Sequence, residues 1–337
     1  MTAGRDRTAA TGTVALGAIA LGVVLLALGV AIGSDGWAPP RLGDADPLQS
    51  VILWDVRLPR SLGAWLAGAL LGLGGAIAQG VFRNPLADPY LLGSASGASL
   101  GAALLLAALG ASPTASEWAL KIGLTGAAFA GAMLAVLLTL MLARGVQQTL
   151  RLLLAGVIVG VVLGALVDLV LLSSPEVLRA MQAFMLGTTG FLGWRGVAVL
   201  AGTLALCLSV SVTGSRALDA LSLGEATAES LGVRLRAVRL ALVATLALAT
   251  GAAVAQVGLI GFVGLVAPHL VRSLCRARHG MLLVLSALAG GALLLAADVA
   301  ARWAVAPREL PVGVLTAVLG GGYLLWRMRR GAQAGAP

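Results

Sequence analysis

The sequence predicts an all-α polytopic membrane protein, a single transmembrane domain over residues 1–337 with about ten spans. Composition is the first reason: 59% of the chain is hydrophobic and 11% charged, whereas a soluble domain is about one-quarter charged. The second is the mean hydropathy of +0.99, with apolar residues gathered into long runs. The third is a glycine excess, 46 residues against 7 Trp, 5 Phe and 2 Tyr. Small residues let helix backbones approach closely in lipid. Disordered chains and soluble enzyme domains are excluded, because so few charges cannot hold this much apolar surface in water.

A helix needs about 20 mainly apolar residues to cross the hydrocarbon core. Applied in order, that rule gives Thr13–Ile32, Leu62–Val81, Leu92–Leu109, Leu120–Ala143 and Leu152–Leu172. It continues with Val197–Val212, Leu240–Val257, a short Leu259–Val271 carrying Pro268, Met281–Val305 and Pro311–Trp326. The first run is longer than the apolar part of a signal peptide and lacks an A-x-A-like site, so it reads as a retained helix. The seventh and eighth runs read as a tight hairpin around Gly258 and Gly261.

Ten spans place both termini on one side, and the basic residues choose the side. With the N-terminus inside, most of them fall on inner segments, including Arg5, Arg7, Arg83, Arg144, Arg151, Arg216, Arg234, Arg236, Arg239, Arg272, Arg276, Arg278, Arg327, Arg329 and Arg330. The positive-inside bias therefore predicts N-in and C-in. The net charge of +9 is a topology signal on this reading, and no nucleic-acid partner is expected.

Glycines recur at four-residue spacing at Gly68 and Gly72, at Gly93, Gly97 and Gly101, and at Gly156, Gly160 and Gly164. Each set forms one helical stripe, read either as close packing or, for Gly156–Gly164, as the wall of a pathway. Asp168 and Asp298 fall within apolar runs, where an unpaired charge is costly. Arg302 follows Asp298 by one turn, the spacing of a helical ion pair. Asp168 lies near the outer end of its helix, where it reaches water or lines a cavity. His269 reads as a helix-end residue, and no Cys/His cluster suggests a metal or haem ligand set. Cys207 and Cys275 read as free packing residues.

No motor is encoded. A Walker A loop needs a lysine after glycine, and the one lysine, Lys121, follows Leu120 on a segment expected outside. No catalytic residues or bound cofactor are expected, so energy must come from a gradient or another polypeptide. The longest inner loop, Arg216–Arg239, suggests the second source. Its stretch Glu225–Leu231 reads as a short helix with Gly232 as C-terminal cap. Leu221, Leu223 and Leu231 would form an apolar strip, laid on the membrane or offered to a soluble partner.

Several segments together resemble the permease subunits of ATP-binding-cassette (ABC) importers of type II, which move iron-siderophores, haem and cobalamin. They are Arg57-Leu-Pro-Arg60, Gly74-Gly-Ala-Ile-Ala-Gln79, Arg83-Asn-Pro-Leu-Ala-Asp-Pro89 and Leu92-Gly-Ser-Ala-Ser-Gly97. Leu152-Leu-Leu-Ala-Gly156, Gly261-Phe-Val-Gly-Leu-Val-Ala-Pro-His269, Asp298-Val-Ala-Ala-Arg302 and Glu309-Leu-Pro-Val-Gly313 continue the likeness. The resemblance implies a homodimer in a bacterial inner membrane, two ATPase subunits below it that use ATP, and an extracytoplasmic substrate-binding protein above.

It also implies roles for particular residues. Leu218–Gly232 would couple to the ATPase, through Leu218, Leu221, Leu223, Gly224, Glu225, Leu231 and Gly232. Arg57, Arg60 and Arg302 would receive acidic residues of the binding protein. Asn84, Leu86, Thr149 and Leu150 would form the cytoplasmic gate, although the family often has a small polar residue where Leu150 stands. Gly156, Gly160, Gly164 and Asp168 would lie along the translocation path. Iron chelates are the first-choice substrate class. The rival is a gradient-driven secondary transporter, for which neither strong inverted repeats nor buried ion sites are evident.

Overall fold

The computed structural model describes residues 2–33, 36–37, 47–109, 118–143 and 149–334, and it is almost entirely helical. Helix α1 (Thr2–Ala31) leads into a hairpin of β1 (Ile32–Gly33) and β2 (Gly36–Trp37), paired antiparallel. A short α2 (Pro47–Val51) continues through a π-helical turn at Ile52–Arg57 into α3 (Leu58–Phe82). Helices α4 (Ser94–Leu109), α5 (Trp118–Leu142) and α6 (Thr149–Ser173) follow. Beyond them lie α7 (Pro175–Leu186), α8 (Trp194–Thr213), α9 (Ser215–Ser222) and α10 (Glu225–Ser230). The chain closes with α11 (Leu235–Val257), α12 (Val263–Leu274), α13 (His279–Trp303) and α14 (Val312–Ala334).

Among the described residues 7 helices are long and apolar enough to cross a membrane. The remaining expected spans are occupied by shorter apolar stretches at Ser94–Ala108, Val263–Leu274 and Val312–Arg327.

Helix α3 is the axis of the bundle, packing against α13, α11, α12 and α8. Its small residues explain how. A methyl group added at Gly68 would strike the Gly290 carbonyl, one at Gly72 the Ser286 carbonyl, and one at Gly75 the Gly264 carbonyl. Backbone therefore meets backbone on two faces of α3, which gives close packing without bulky side chains. The same device joins α4 to α5, where Gly97 abuts Gly131 and Gly101 abuts Ala127. The two largest apolar clusters that result lie around α3, α11 and α13 and between α4, α5, α6 and α7.

Pro268 sits inside α12 without ending it. Proline offers no N–H to the carbonyl four residues back. That carbonyl, Gly264 O, is the one lying against Gly75. The hairpin between α11 and α12 turns at Gly258 (φ 70), and α12 begins four residues later than the expected Leu259.

Some elements depart from the sequence reading. Helix α7 is amphipathic rather than loop: Ser174 Oγ accepts from Val177 N at 3.4 Å, Pro175 opens the helix, and Glu176 lies in its first turn. The second expected span starts further upstream, because helix runs unbroken from Pro47 to Phe82. Leu218 lies in a helix of its own, α9, rather than in a loop.

Candidate functional site

The two ends of α3 carry the polar machinery. Twenty-five residues separate them, a rise of roughly 37 Å.

At its N-terminal end, Asp298 is fully buried and holds four donors. Oδ1 accepts from Arg60 Nη2 at 3.0 Å, Arg60 Nε at 3.2 Å and Thr189 Oγ1 at 2.5 Å. Oδ2 accepts from Arg302 Nη2 at 2.6 Å, the expected one-turn pair. Arg60 also grips both oxygens of Glu309, each at 2.9 Å. Arg302 Nη1 donates to Gly29 O at 2.8 Å and Ile32 O at 2.9 Å. Arg57 Nη1 reaches Val30 O at 3.2 Å, so Arg57 and Arg302 hold the same end of α1. Buried charges persist only when paired and hydrogen-bonded throughout, and two arginines facing two carboxylates meet that condition. The network ties α1, α3, α13 and the connections that precede α8 and α14. Arg60 is 8% exposed and Arg302 1%; Arg57 is half-buried.

At the other end, α9 and α10 are pinned to the bundle. Glu225 Oε1 accepts from Arg239 Nη2 of α11 at 2.5 Å and lies 3.7 Å from Arg83, the residue closing α3. Asp219 Oδ1 accepts from His279 N at 3.1 Å and sits 2.7 Å from His279 Nδ1. Gly224 (φ 113) and Gly232 (φ 80) make the turns on each side of α10, so Gly232 follows the helix as the sequence indicates. The apolar strip needs correction. Leu221 and Leu218 are fully buried, because the α9 helix turns them into the core, Leu218 beside Gly80. Leu223 and Leu231 alone of the four stand out, 67% and 64% exposed.

Beside this unit lies the α3–α4 connection. Asn84 Oδ1 accepts from Leu86 N at 2.9 Å, and Asp88 Oδ1 accepts from Tyr90 N at 2.8 Å. Burial pushes the Asp88 carboxyl up from its ordinary range, against the opposing Tyr90 N–H bond. Tyr90 Oη donates to Ile260 O at 3.1 Å, tying the connection to the α11–α12 hairpin. Leu86 and Leu150 are exposed at 56% and 69%. Thr149 opens α6, but its side chain lies outside the described residues.

Two of the three α6 glycines face neighbouring backbone. A methyl group added at Gly156 would strike the Leu91 carbonyl and one at Gly160 would make only ordinary contact with Gly93 Cα, while one at Gly164 would meet open space. The uncovered face of α6 is apolar and carries Leu154, Val157, Val161, Leu169 and Leu172, with Asp168 also exposed. His269 is not at a helix end: it lies within α12, its ring 5.9 Å from that of Tyr323. Both cysteines are free and buried. No group of three metal-ligating side chains occurs among the described residues.

Sequence reasoning missed Thr189 and Glu309 as partners of the buried charges. Neither sits at helical spacing from Asp298, so no pattern signals them. Helix α7 was missed as well, although Ser174-Pro175-Glu176, an N-cap residue followed by proline and an acid, is a helix-start signal.

Comparison with known proteins gives a consistent result. Residues 18–330 match the model of the FecCD transport family. The chain is 38% identical over 279 residues to the hemin transport system permease protein HmuU of Yersinia pestis, covering 82% of this chain and 83% of that one. It is 39% identical over 314 residues to the vitamin B12 import system permease protein BtuC of Serratia proteamaculans, covering 91% and 92%. Among solved structures, an inward-facing metal-chelate type ABC transporter matches with a TM-score of 0.81 at 31% identity, covering 93% of this chain and 98% of that one.

Proposed function

The chain belongs to the FecCD transport family, and on that premise we propose that it is the permease of an importer for a metal chelate, driven by separate ATPase subunits. The proposed assembly is a homodimer of ten-span subunits, N-in and C-in, in a bacterial inner membrane. Two ATPases sit beneath it and a substrate-binding protein docks above. ATP is consumed by the ATPases, and this chain does no chemistry on its cargo. Iron chelates, siderophore or haem, are the first-choice substrate, with cobalamin next; the names of HmuU and BtuC support that class.

The observation that carries the reading is the α9–α10 unit. Leu223 and Leu231 are offered to solvent on an element that Glu225 and Asp219 fasten to α11, α3 and α13. A partner gripping those leucines would move three core helices with them, which is what coupling to a motor requires. Gly224, Glu225 and Gly232 shape and anchor the unit, while Leu218 and Leu221 root it in the core. Alternating access would follow: Asn84, Leu86, Thr149 and Leu150 close the cytoplasmic end, and the α6 segment holding Gly156, Gly160, Gly164 and Asp168 borders the path. At the opposite end Arg302, buried and held by Asp298, Gly29 O and Ile32 O, would support the docking surface from beneath and not touch the partner, whereas Arg57 and Arg60 would meet carboxylates of the binding protein. Glu309, 30% exposed, stands between Arg60 and the rim and would yield to them.

The decisive experiment replaces Leu223 and Leu231 together by serine in the assembled transporter. Both are exposed, so thermal unfolding should be unchanged, while transport and permease-stimulated ATP hydrolysis should fall at least about tenfold, as for central interface anchors. Full coupling in that variant would overturn the assignment.

A further inference from the structure

Helix α12 has 12 residues, a rise of roughly 18 Å against a hydrocarbon core of about 30 Å. On its two sides the bundle is incompletely filled. A cavity of about 420 Å³ lies between α12, α13 and α14, lined by Phe262, Val266, Ala300, Thr316, Leu319 and Tyr323 among others. A second, of about 430 Å³, lies between α1, α12 and α13, and both are bordered by Leu270, Leu293 and Ala296. They flank one α12–α13 contact. Their walls are almost wholly apolar, and the first is held open by Phe262, which adopts a left-handed φ of 68° and rests against Gly320.

One end of this groove is basic and aromatic. Arg272 follows Leu270 by two residues, and Arg327 follows Tyr323 by one turn. Arg276, Arg278, Arg327 and Arg329 are exposed. No acidic residue occurs between Glu229 and Asp298 or after Glu309. The Tyr323 ring lies 5.9 Å from His269 and 6.3 Å from Trp326, amphipathic rings of the kind enriched at the headgroup level. His269 Nε2 is shut from water without a hydrogen-bond partner among the described residues.

We propose that this groove binds an anionic phospholipid, with an acyl chain in the cavity between α12 and α14 and the phosphate at Arg327; Arg272, whose Nη2 donates to Gln79 Oε1 of α3, adds positive charge beside it. An apolar void in a membrane protein leaves its lining without dispersion partners, and an acyl chain restores them. Basic pockets between spans select anionic headgroups, and the absence of acids on α12 and α14 makes this end complementary to phosphate.

Native mass spectrometry of the whole purified permease, delipidated and then titrated with phosphatidylglycerol or phosphatidylcholine, tests this. Phosphatidylglycerol should be retained in preference and should raise the unfolding temperature. Arg327→Gln should lower its retention about fivefold without changing phosphatidylcholine binding or lipid-free stability. Ala300→Phe, which fills the cavity wall, should abolish retention of both; if that variant does not fold, R327Q decides alone. Equal retention of the two lipids, or retention unaltered by R327Q, would overturn the proposal. So would lipid adducts confined to monomers, which would mean that a second copy covers the groove.

Discussion

Asp298 is the residue on which the N-terminal end of α3 and its neighbours converge. Four donor atoms from Arg60, Thr189 and Arg302 surround a carboxylate with no access to water. Removing one member leaves the others buried and uncompensated, which costs about 3–5 kcal/mol. Asp298→Ala should therefore lower the unfolding temperature in detergent sharply, or prevent accumulation. Replacing Asp298 and Arg302 together by leucine and methionine should recover part of that loss. A single variant as stable as the parent would show that the network contributes nothing. The Asp298–Arg302 half of this cluster was legible, because one-turn spacing is visible in the chain. Thr189 and Glu309 were not, since they arrive from loops distant in sequence.

At the scale of elements, glycine position decides which helices touch. Gly75 on α3 faces the Gly264 carbonyl, whereas Gly164 on α6 faces open space. Gly75→Ala should thus be strongly destabilising and Gly164→Ala nearly neutral, within about 0.5 kcal/mol, when both are compared by thermal unfolding. Comparable losses in the two would refute this packing account. The four-residue spacing of Gly68 and Gly72 looks the same as that of Gly156, Gly160 and Gly164. Yet the first pair meets carbonyls of α13 and Gly164 meets nothing, so periodicity alone could not separate a backbone contact from an open surface. Leucines show the same limit. Leu221 and Leu223 are two apart, but Leu221 lies on the inward face of α9 and is buried, whereas Leu223 caps that helix and is exposed.

For the whole molecule, the two ends of α3 are proposed to answer different partners. Arg57 is the most accessible of the three arginines at the N-terminal end of α3, so on the proposed function Arg57→Glu should weaken capture of the binding protein with little effect on folding. Rim charges act through steering and are screened by salt. Parental affinity should accordingly fall as ionic strength rises, and the variant should be less salt-sensitive. Unchanged affinity of the variant at low salt would remove Arg57 from the docking surface.

Hydropathy and composition by themselves determined that this chain lies in a membrane as a close-packed helical bundle, where its apolar segments lie, and that it carries no Walker A loop. Those properties are local: a run of apolar residues partitions into lipid wherever it sits, and a motif absent from the chain is absent from the fold. Only the tertiary structure decided which glycines meet backbone, which leucines of α9 and α10 face out, and how Arg60, Thr189, Arg302 and Glu309 share two carboxylates. Burial and pairing are relations between distant segments, set by how the helices rotate and cross as they pack.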